Sequence, residues 1–503
     1  MEKKEKLVLF LYGVFIFGFT YIFYTQVKPI MVCDPDDWTY ISSIRYAIPI
    51  WKDWNPSKVF PETLMGLCGF FAAYAIYPII GDYIMSFTYV YAFIVTLFIV
   101  FYIIAILLFV KKALSMTMHS SLVCSFIAYL LHFLFMLHRG TDNLFMLTAC
   151  NLNCFLNYTI PVLFCFMLAL HFIQKYLFSK NSLLLNENLN CERLYDQHNY
   201  YKTGVVAFLI YLSIFSNMVC NIILIGPFIY MFVSILGGQI KAYGVKKVFK
   251  VSNIKRYALF IYTFLLELIC LIFEYNGGRA KSLTFNTESA IRDIVTDLKY
   301  IWVNINKKIA AVCIIVICSA IFVYAQRKRK GLAVEADERY EKSIRIMLFS
   351  FVLSFVYIIL LYVRIGQHKL QRSENIFVIY IFLGSAIAIS IGYILALFRK
   401  IWICVPLVLY VMTTTTIFGN YKQSISYYGG NTELCYLVNN NIIEQYKQAE
   451  CMGLKEFELH VPAGLGSYDF TADRISRTLY KHGIINKRIQ ANMVIEPIDY
   501  FYK

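Results

Sequence analysis

Three carboxylates stand close together just after the first long apolar run of the sequence. They are Asp34, Asp36 and Asp37, and the apolar run before them extends from Leu7 to Tyr24. Carboxylates at the edge of a membrane are costly to hold there unless they stay hydrated, pair with cations, bind a metal or exchange protons. We therefore expect this cluster to belong to a functional site, with general-base chemistry as its first candidate role.

The loop after this cluster carries further groups that suit a sugar substrate. Trp38 and Trp54 offer aromatic faces for stacking, and Glu62 adds a carboxylate. Together with Asp34 and Asp36, Glu62 could also hold a divalent cation, although the sequence does not require a metal. The alternative interpretation is a solvated loop whose Trp side chains sit at the membrane interface.

A second group consists of cations just beyond the predicted outer ends of spans, where topology alone disfavours Lys and Arg. A guanidinium group binds phosphate through two parallel hydrogen bonds, so these cations predict a phosphate site. Gly277 and Gly278, before Arg279, are expected to bring backbone N–H groups close to an anion. The alternative for each cation is a side chain that snorkels to a lipid headgroup. The candidate phosphate ligands are Arg139, Arg279, Arg364, Lys369 and Arg372.

A third group consists of polar residues at membrane level. Glu267 interrupts an otherwise apolar run, so it is either functional or a protonated packing residue bonded to a neighbouring helix. Asn157 and Asn217 fall at predicted outer helix ends. Their amides could bind sugar hydroxyls or could cap the helices.

Composition defines the class of protein. Of the 503 residues, 59% are hydrophobic and only 16% are charged, and the mean hydropathy is +0.59. The net charge of +16 comes from Lys and Arg grouped between apolar runs. This pattern indicates cytoplasmic loops of a polytopic membrane protein, with lipid headgroups as partners, and argues against nucleic acid.

The apolar runs and the basic loops together predict the topology. About eleven spans are expected, with a cytoplasmic N-terminus and a location in the cell membrane. The segment 66–81 is short and contains Gly and Pro, so we interpret it as re-entrant or interfacial. The predicted spans cover 7–24, 86–110, 118–137, 158–174, 209–215, 222–236, 257–273, 309–325, 344–363, 376–398 and 401–418.

The chain changes character near residue 419 and becomes polar. Residues 434–442 keep a helical spacing, 457–462 and 488–495 resemble strands, and 471–482 resembles a helix. We therefore predict a transmembrane domain over 1–418, with a first outer loop at 28–84, and a small extracytoplasmic α/β domain over 419–503.

These features together resemble the GT-C superfamily of integral membrane glycosyltransferases. The resemblance rests on one span leading outward, an acidic pair at the start of a long outer loop, about eleven spans and a terminal outer domain. The short motifs Asp36-Asp37-Trp38, Asn157-Tyr158 and Gly278-Arg279-Ala280 are similar to bacterial members that act on cell-envelope glycans. The long acceptor-binding motif of oligosaccharyltransferases is not found.

The resemblance implies an enzyme that moves a sugar from a polyprenyl-phosphate donor to a glycan or lipid-linked acceptor. Asp36 or Asp37 would be the base that takes the acceptor's proton, and Arg279 with Arg364 or Arg372 would hold the phosphate. Such a reaction needs no nucleotide site, which is consistent with a sequence lacking a phosphate-binding Gly loop.

Two other functions remain open at this level. A transporter or flippase of lipid-linked sugars would use Glu267 and the outer cations to line a path, but such proteins usually show internal repeats. An O-antigen-type polymerase or ligase would place its chemistry in a late outer loop, for which residues 274–308 are the candidate.

Overall fold

The computed structural model describes residues 3–32, 35–131, 152–178, 200–248, 257–281, 287–304, 307–365, 370, 372–398, 432–462 and 471–502. These residues form mostly helices. The helices are α1 (Lys3–Val27), α2 (Pro35–Tyr40), α3 (Val59–Ile80), α4 (Tyr83–Ala113), α5 (Met118–Tyr129), α6 (Leu152–Phe178), α7 (Tyr200–Ile214), α8 (Met218–Tyr243), α9 (Ala258–Tyr275), α10 (Gly278–Lys281), α11 (Thr287–Asn304), α12 (Lys307–Arg329), α13 (Glu335–Ile365), α14 (Ser373–Phe398), α15 (Thr432–Cys451) and α16 (Ala472–Lys481). A further short helix covers Val245–Val248.

Length and apolar composition make this a polytopic membrane protein. Within the described ranges, nine helices are long and apolar enough to cross a membrane, namely α1, α3, α4, α6, α8, α9, α12, α13 and α14. The shorter apolar helices α5 and α7 coincide with two predicted spans. The predicted span 401–418 lies outside the described residues.

The helical bundle has two chemically different ends. At one end the Lys111 ammonium lies 2.5 Å from the Glu5 carboxylate, and Arg339 donates to the Ala113 carbonyl at 2.8 Å. These contacts join the starts of α1 and α13 to the end of α4, so we call this the basic end. The opposite end carries residues 35–58, which we call the first loop, and residues 432–462 and 471–502, which we call the C-terminal segment. We call this end of the bundle the domain end.

Helix α3 is longer than the sequence predicted. The segment was expected to cover only 66–81, but the helix begins at Val59 and is long enough to cross a membrane. Both ends of this helix nevertheless contact the domain end. Near its start, the Phe60 N–H donates to the Phe215 carbonyl at 3.0 Å. Near its end, the Tyr74 hydroxyl donates to the Lys481 carbonyl at 2.6 Å.

The glycines of α3 permit close packing and do not interrupt the helix. A Cβ at Gly69 would collide with the carbonyl oxygen of Ile41, and a Cβ at Gly66 with that of Ser43. The backbone of the first loop therefore lies directly on this helix, which is a glycine role that sequence spacing alone does not distinguish from a helix break.

The C-terminal segment forms the α/β arrangement that its sequence pattern predicts. Strands β1 (Glu456–Pro462) and β2 (Gln490–Glu496) pair in parallel, with Glu456 opposite Gln490. A parallel pair needs a crossover connection, and α16 provides it. The predicted boundary at 419 lies outside the part of the chain that the structure describes.

The C-terminal segment packs directly onto the first loop. The Thr478 hydroxyl donates to the Trp38 carbonyl at 2.6 Å and lies 2.7 Å from the Ser42 hydroxyl. Nearby, the Tyr83 hydroxyl lies 2.7 Å from Nδ1 of the buried His482. The two segments therefore share one core, which fixes the start of the first loop against the bundle.

Candidate functional site

A cavity of about 430 Å³ opens at the domain end of the bundle. It lies between the domain ends of α9 and α13, both of which pack on α8. The lining includes polar and apolar side chains, and we call these two sets the polar wall and the apolar wall. The lining residues are Asn55, Ser57, Lys58, Tyr158, Asn217, Met218, Val219, Leu271, Ile272, Glu274, Tyr275, Asn276, Arg279, Ala280, Leu361, Tyr362 and Arg372.

The polar wall is cationic, with Lys58, Arg279 and Arg372. Arg279 and Arg372 are exposed at the mouth, whereas Lys58 is half-buried, with its ammonium 5.6 Å from the centre of the Tyr158 ring. Burial, and then the nearby charge of Arg279, lower the pKa of Lys58. Among the described residues, no carboxylate lies within 4.0 Å of its ammonium group. A bound anion would stabilise the charged form of Lys58.

A single carboxylate, Glu274, also faces this cavity from among its described lining residues. The backbone N–H of Ser57 donates to Glu274 Oε1 at 3.0 Å, and the Ser57 hydroxyl donates to the same oxygen. Ser57 is itself fully buried. The carboxylate is therefore held in a fixed orientation at the junction of the first loop and α9.

A buried ion pair fixes the loop that carries Ser57 and Lys58. Arg45 Nη1 lies 2.5 Å from Glu62 Oε2, and both side chains are less than one-tenth exposed. The same guanidinium donates to the carbonyls of Asn55 and Pro56, at 2.5 and 2.7 Å. Glu62 was predicted to bind sugar or metal; its carboxylate instead contacts Arg45 and Asn55 Nδ2, the latter at 3.2 Å, and it does not line the cavity.

The glycines before Arg279 have a different role from the one predicted. The Gly277 N–H donates to the Glu274 carbonyl and the Gly278 N–H to the Asp53 carbonyl, so neither is available to an anion. A Cβ at Gly277 would lie 2.8 Å from Pro56 Cγ. These glycines therefore allow the α9–α10 turn to pack closely against the first loop, which brings Arg279 to the cavity.

Asp36 and Asp37, the two candidates for the catalytic base, lie in different environments. Asp37 is fully buried, and its Oδ1 accepts the backbone N–H of Asn153 at 2.7 Å. Asp36 is about half exposed, with Oδ1 3.8 Å from Arg474 Nη1. Asp36 is close enough for its charge to act on Lys58. Of the pair, Asp36 is accessible to a substrate, and Asp37 joins α2 to the start of α6.

The predicted sugar-stacking tryptophans also differ. Trp38, which was predicted to contact a sugar, is fully buried beneath the C-terminal segment, and its ring contributes to the core. Trp54 is 52% exposed and packs on Gly278 beside the cavity. Only Trp54 keeps a face near the site.

Two asparagines lie where α6 and α8 begin. Asn217 caps α8 by accepting the Val219 N–H at 3.0 Å, and its amide donates to the Asn157 carbonyl at 2.6 Å. Asn157 is buried in the π-helical turn Phe155–Thr159. The Asn157 side chain donates through Nδ2 to the Asn153 carbonyl at 3.1 Å, so both amide groups make structural hydrogen bonds, although Asn217 still lines the cavity. The adjacent Tyr158 is the residue of this turn that faces the cavity.

Glu267 lies on α9 but further from the domain end than the residues of α9 that line the cavity. It is buried, and its Oε2 accepts the Asn221 amide at 2.8 Å. Asn221 belongs to α8, so this pair joins two adjacent spans below the site. Glu267 is thus bonded to a neighbouring helix, as in one of the two predicted interpretations, and it is not among the described residues that line the cavity.

Three of the predicted site residues lie outside the part of the chain that the structure describes. Asp34, Arg139 and Lys369 lie outside the described residues, and Arg364 lies in the last turn of α13. In the described ranges, no group of three His, Cys, Asp or Glu side chains is arranged to hold a metal ion.

The structure adds residues that the sequence did not single out, chiefly Lys58, Glu274 and Ser57. Lys58 had a usable signal, because it is a cation within the predicted outer loop, immediately before the residues that begin α3. Glu274 had none, since an acidic residue after a span is ordinary. Its role depends on Ser57, which is 217 positions away in sequence.

Comparison of the chain with protein family models, with curated proteins and with solved structures finds no match in any of the three.

Proposed function

We propose that this protein is a membrane glycosyltransferase of the GT-C type, which moves a sugar from a polyprenyl-phosphate donor to a cell-envelope glycan or lipid-linked acceptor. In this proposal the domain end faces the outside of the cell membrane and the basic end faces the cytoplasm. The observation that carries it is the cavity, which combines three cations with an apolar wall at one end of a membrane bundle.

The apolar wall supports a lipid-linked substrate over a soluble one. Leu271 and Ile272 on α9 and Leu361 on α13 all line the cavity. Ile272 also belongs to an exposed apolar surface of α9 with Leu268, at 45% and 54% exposure. An isoprenoid chain would leave the cavity between these helices and enter the bilayer, while its phosphate stays at the cations.

The cations support a phosphate as the head group. Arg279 and Arg372 offer planar guanidinium groups that grip phosphate oxygens, and Lys58 adds a half-buried point charge. In the transfer step, a hydroxyl oxygen of the acceptor bonds to the anomeric carbon while the bond from that carbon to the phosphate oxygen breaks. The phosphate leaves with the electron pair and the cations stabilise its increased charge.

Asp36 is the base of this proposal. The acceptor's proton passes to its carboxylate as the new bond forms, so the products are the glycosylated acceptor and polyprenyl phosphate. Asp36 is half exposed and its charge acts on Lys58, although it does not itself line the cavity, whereas the carboxylate of Asp37 is committed to the Asn153 N–H.

Binding of polyprenyl phosphate to the purified protein in lipid nanodiscs tests the proposal, with polyprenol of equal length as the uncharged control. We expect the phosphate to bind and the alcohol to bind at least about tenfold more weakly. Arg279→Ala should remove most of the difference, and Lys281→Ala, an exposed cation in the same short helix that does not line the cavity, should keep it.

Equal binding of phosphate and alcohol, or equal effects of the two substitutions, would contradict the phosphate site. Release of polyprenyl phosphate from polyprenyl-phosphate glucose then tests the reaction. Phosphate binding without any release in the presence of envelope acceptors would favour the flippase alternative, in which the lipid is moved and not cleaved.

A further inference from the structure

Glu274 has an arrangement that holding the loop does not fully explain. The two hydrogen bonds from Ser57 reach the same carboxylate oxygen, Oε1. The second oxygen, Oε2, accepts no hydrogen bond from any residue that the structure describes. Glu274 nevertheless lines the cavity, on the wall that also carries Lys58 and Arg279.

A carboxylate among phosphate-binding cations weakens phosphate binding. Like charges close together in a partly buried site repel, so Glu274 opposes the anion that the three cations attract. A site that only gripped phosphate would bind it better without this group. The carboxylate is explained if the ligand also presents hydrogen-bond donors, because a carboxylate is an acceptor with room for several hydroxyl groups.

We infer that Glu274 accepts hydroxyl groups of the transferred sugar through Oε2, and that the donor carries a neutral or amino sugar at this position and not an acidic one. This inference rests on the proposed function. Ser57 positions Glu274 by fixing Oε1, and the Arg45–Glu62 ion pair positions Ser57 by holding the loop. An acidic sugar would place a second carboxylate against Oε2, where like charges repel.

Two lipid-linked probes that differ in one group test this inference, namely polyprenyl-phosphate glucose and polyprenyl-phosphate glucuronate. In the wild-type protein we expect glucose to bind at least about tenfold more tightly than glucuronate. Glu274→Gln keeps an oxygen for Ser57 and removes the charge, so the difference should fall below about twofold. Binding of bare polyprenyl phosphate to the same variant should be unchanged or tighter, because a repulsive charge has been removed.

The outcomes separate this inference from the function on which it rests. Equal binding of the two sugars to the wild type, or a preference that persists in Glu274→Gln, would overturn the role of Glu274 while leaving the phosphate site intact. Failure of bare polyprenyl phosphate to bind the wild type would overturn the proposed function and this inference with it. The wild-type comparison needs no variant, so a folding defect in Glu274→Gln would not obscure the result.

Discussion

The buried ion pair between Arg45 and Glu62 leads to a quantitative prediction for Glu62→Gln. The two side chains are 6% and 7% exposed, so the guanidinium would keep its charge in a buried place without its closest counter-charge. Loss of one partner of a buried pair costs about 3–5 kcal/mol. Asp53 remains 3.6 Å from the same guanidinium, and the new amide can still accept a hydrogen bond, so we expect a loss near the lower value, about 3 kcal/mol.

Asp53→Asn is the matched control, because Asp53 pairs with the same guanidinium from the surface. Its side chain is 42% exposed, and pairs of this kind contribute less than about 1 kcal/mol. The free energy of unfolding of both variants can be measured by denaturant titration in mixed micelles, with tryptophan fluorescence as the signal. Similar small losses for the two variants would refute the claim that Glu62 is the structural partner of Arg45.

A double variant separates the charge from the hydrogen bonds. Replacement of both partners, Arg45→Met with Glu62→Met, removes the buried charges, and such replacements are often neutral or stabilising. Here Arg45 also donates to the carbonyls of Asn55 and Pro56, which would each lose one hydrogen bond, at about 0.5–1.5 kcal/mol, and keep a backbone N–H donor. We therefore expect the double variant to remain destabilised and to bind polyprenyl phosphate weakly, because the loop before Lys58 is no longer held.

Three further predictions concern other parts of the site and its support. Gly277→Ala should destabilise the protein and weaken binding of polyprenyl phosphate, since the added Cβ would lie 2.8 Å from Pro56 Cγ; unfolding and binding assays check both. Burial lowers the pKa of His482 from 6.5 to about 4, so the unfolded chain takes up a proton at a higher pH than the folded chain does. The free energy of unfolding should therefore fall by about 3 kcal/mol as the pH drops from 6.5 to 4. His482→Phe should flatten this pH dependence in unfolding titrations. Asp36→Asn should slow release of polyprenyl phosphate from polyprenyl-phosphate glucose by about 10²- to 10⁴-fold without weakening binding of the bare lipid phosphate, whereas equal rates would exclude Asp36 as the base.

The mostly helical character of the chain and the two strands near its end are the features that the sequence predicted most directly. Long apolar runs with basic residues at alternate ends predict spans well, because a backbone inside lipid must satisfy its own hydrogen bonds as a helix. The two strands and α16 carry strong local patterns and agree with the structure within a few positions. Helix α3 was underestimated, because Gly66 and Gly69 suggested a break where the structure uses them for contact with the first loop.

The site was predictable only in part, because its geometry depends on partners far apart in the chain. The sequence singled out Arg279 and Arg372 as cations at one face of the membrane, and both line the cavity, at the same end of the bundle as Asp36. It did not distinguish Asp36 from Asp37, whose environments are set by Arg474 and Asn153. Spacing within a short motif carries no information about such distant contacts.

Glu62 shows the same limit from the other direction. An acidic residue in a loop near a membrane has a side chain that could bind a substrate or a metal, but the residue that contacts it in the fold decides its role. Arg45 lies 17 positions earlier and occupies the carboxylate, so Glu62 supports the cavity wall and does not line the cavity.

A structure of the protein with polyprenyl phosphate in a lipid nanodisc would test the central claim most directly. The account predicts phosphate density in contact with Lys58 and Arg279, with the first isoprene units between Leu271 and Leu361. Phosphate density at another place on the protein, with this cavity filled by water alone, would contradict it.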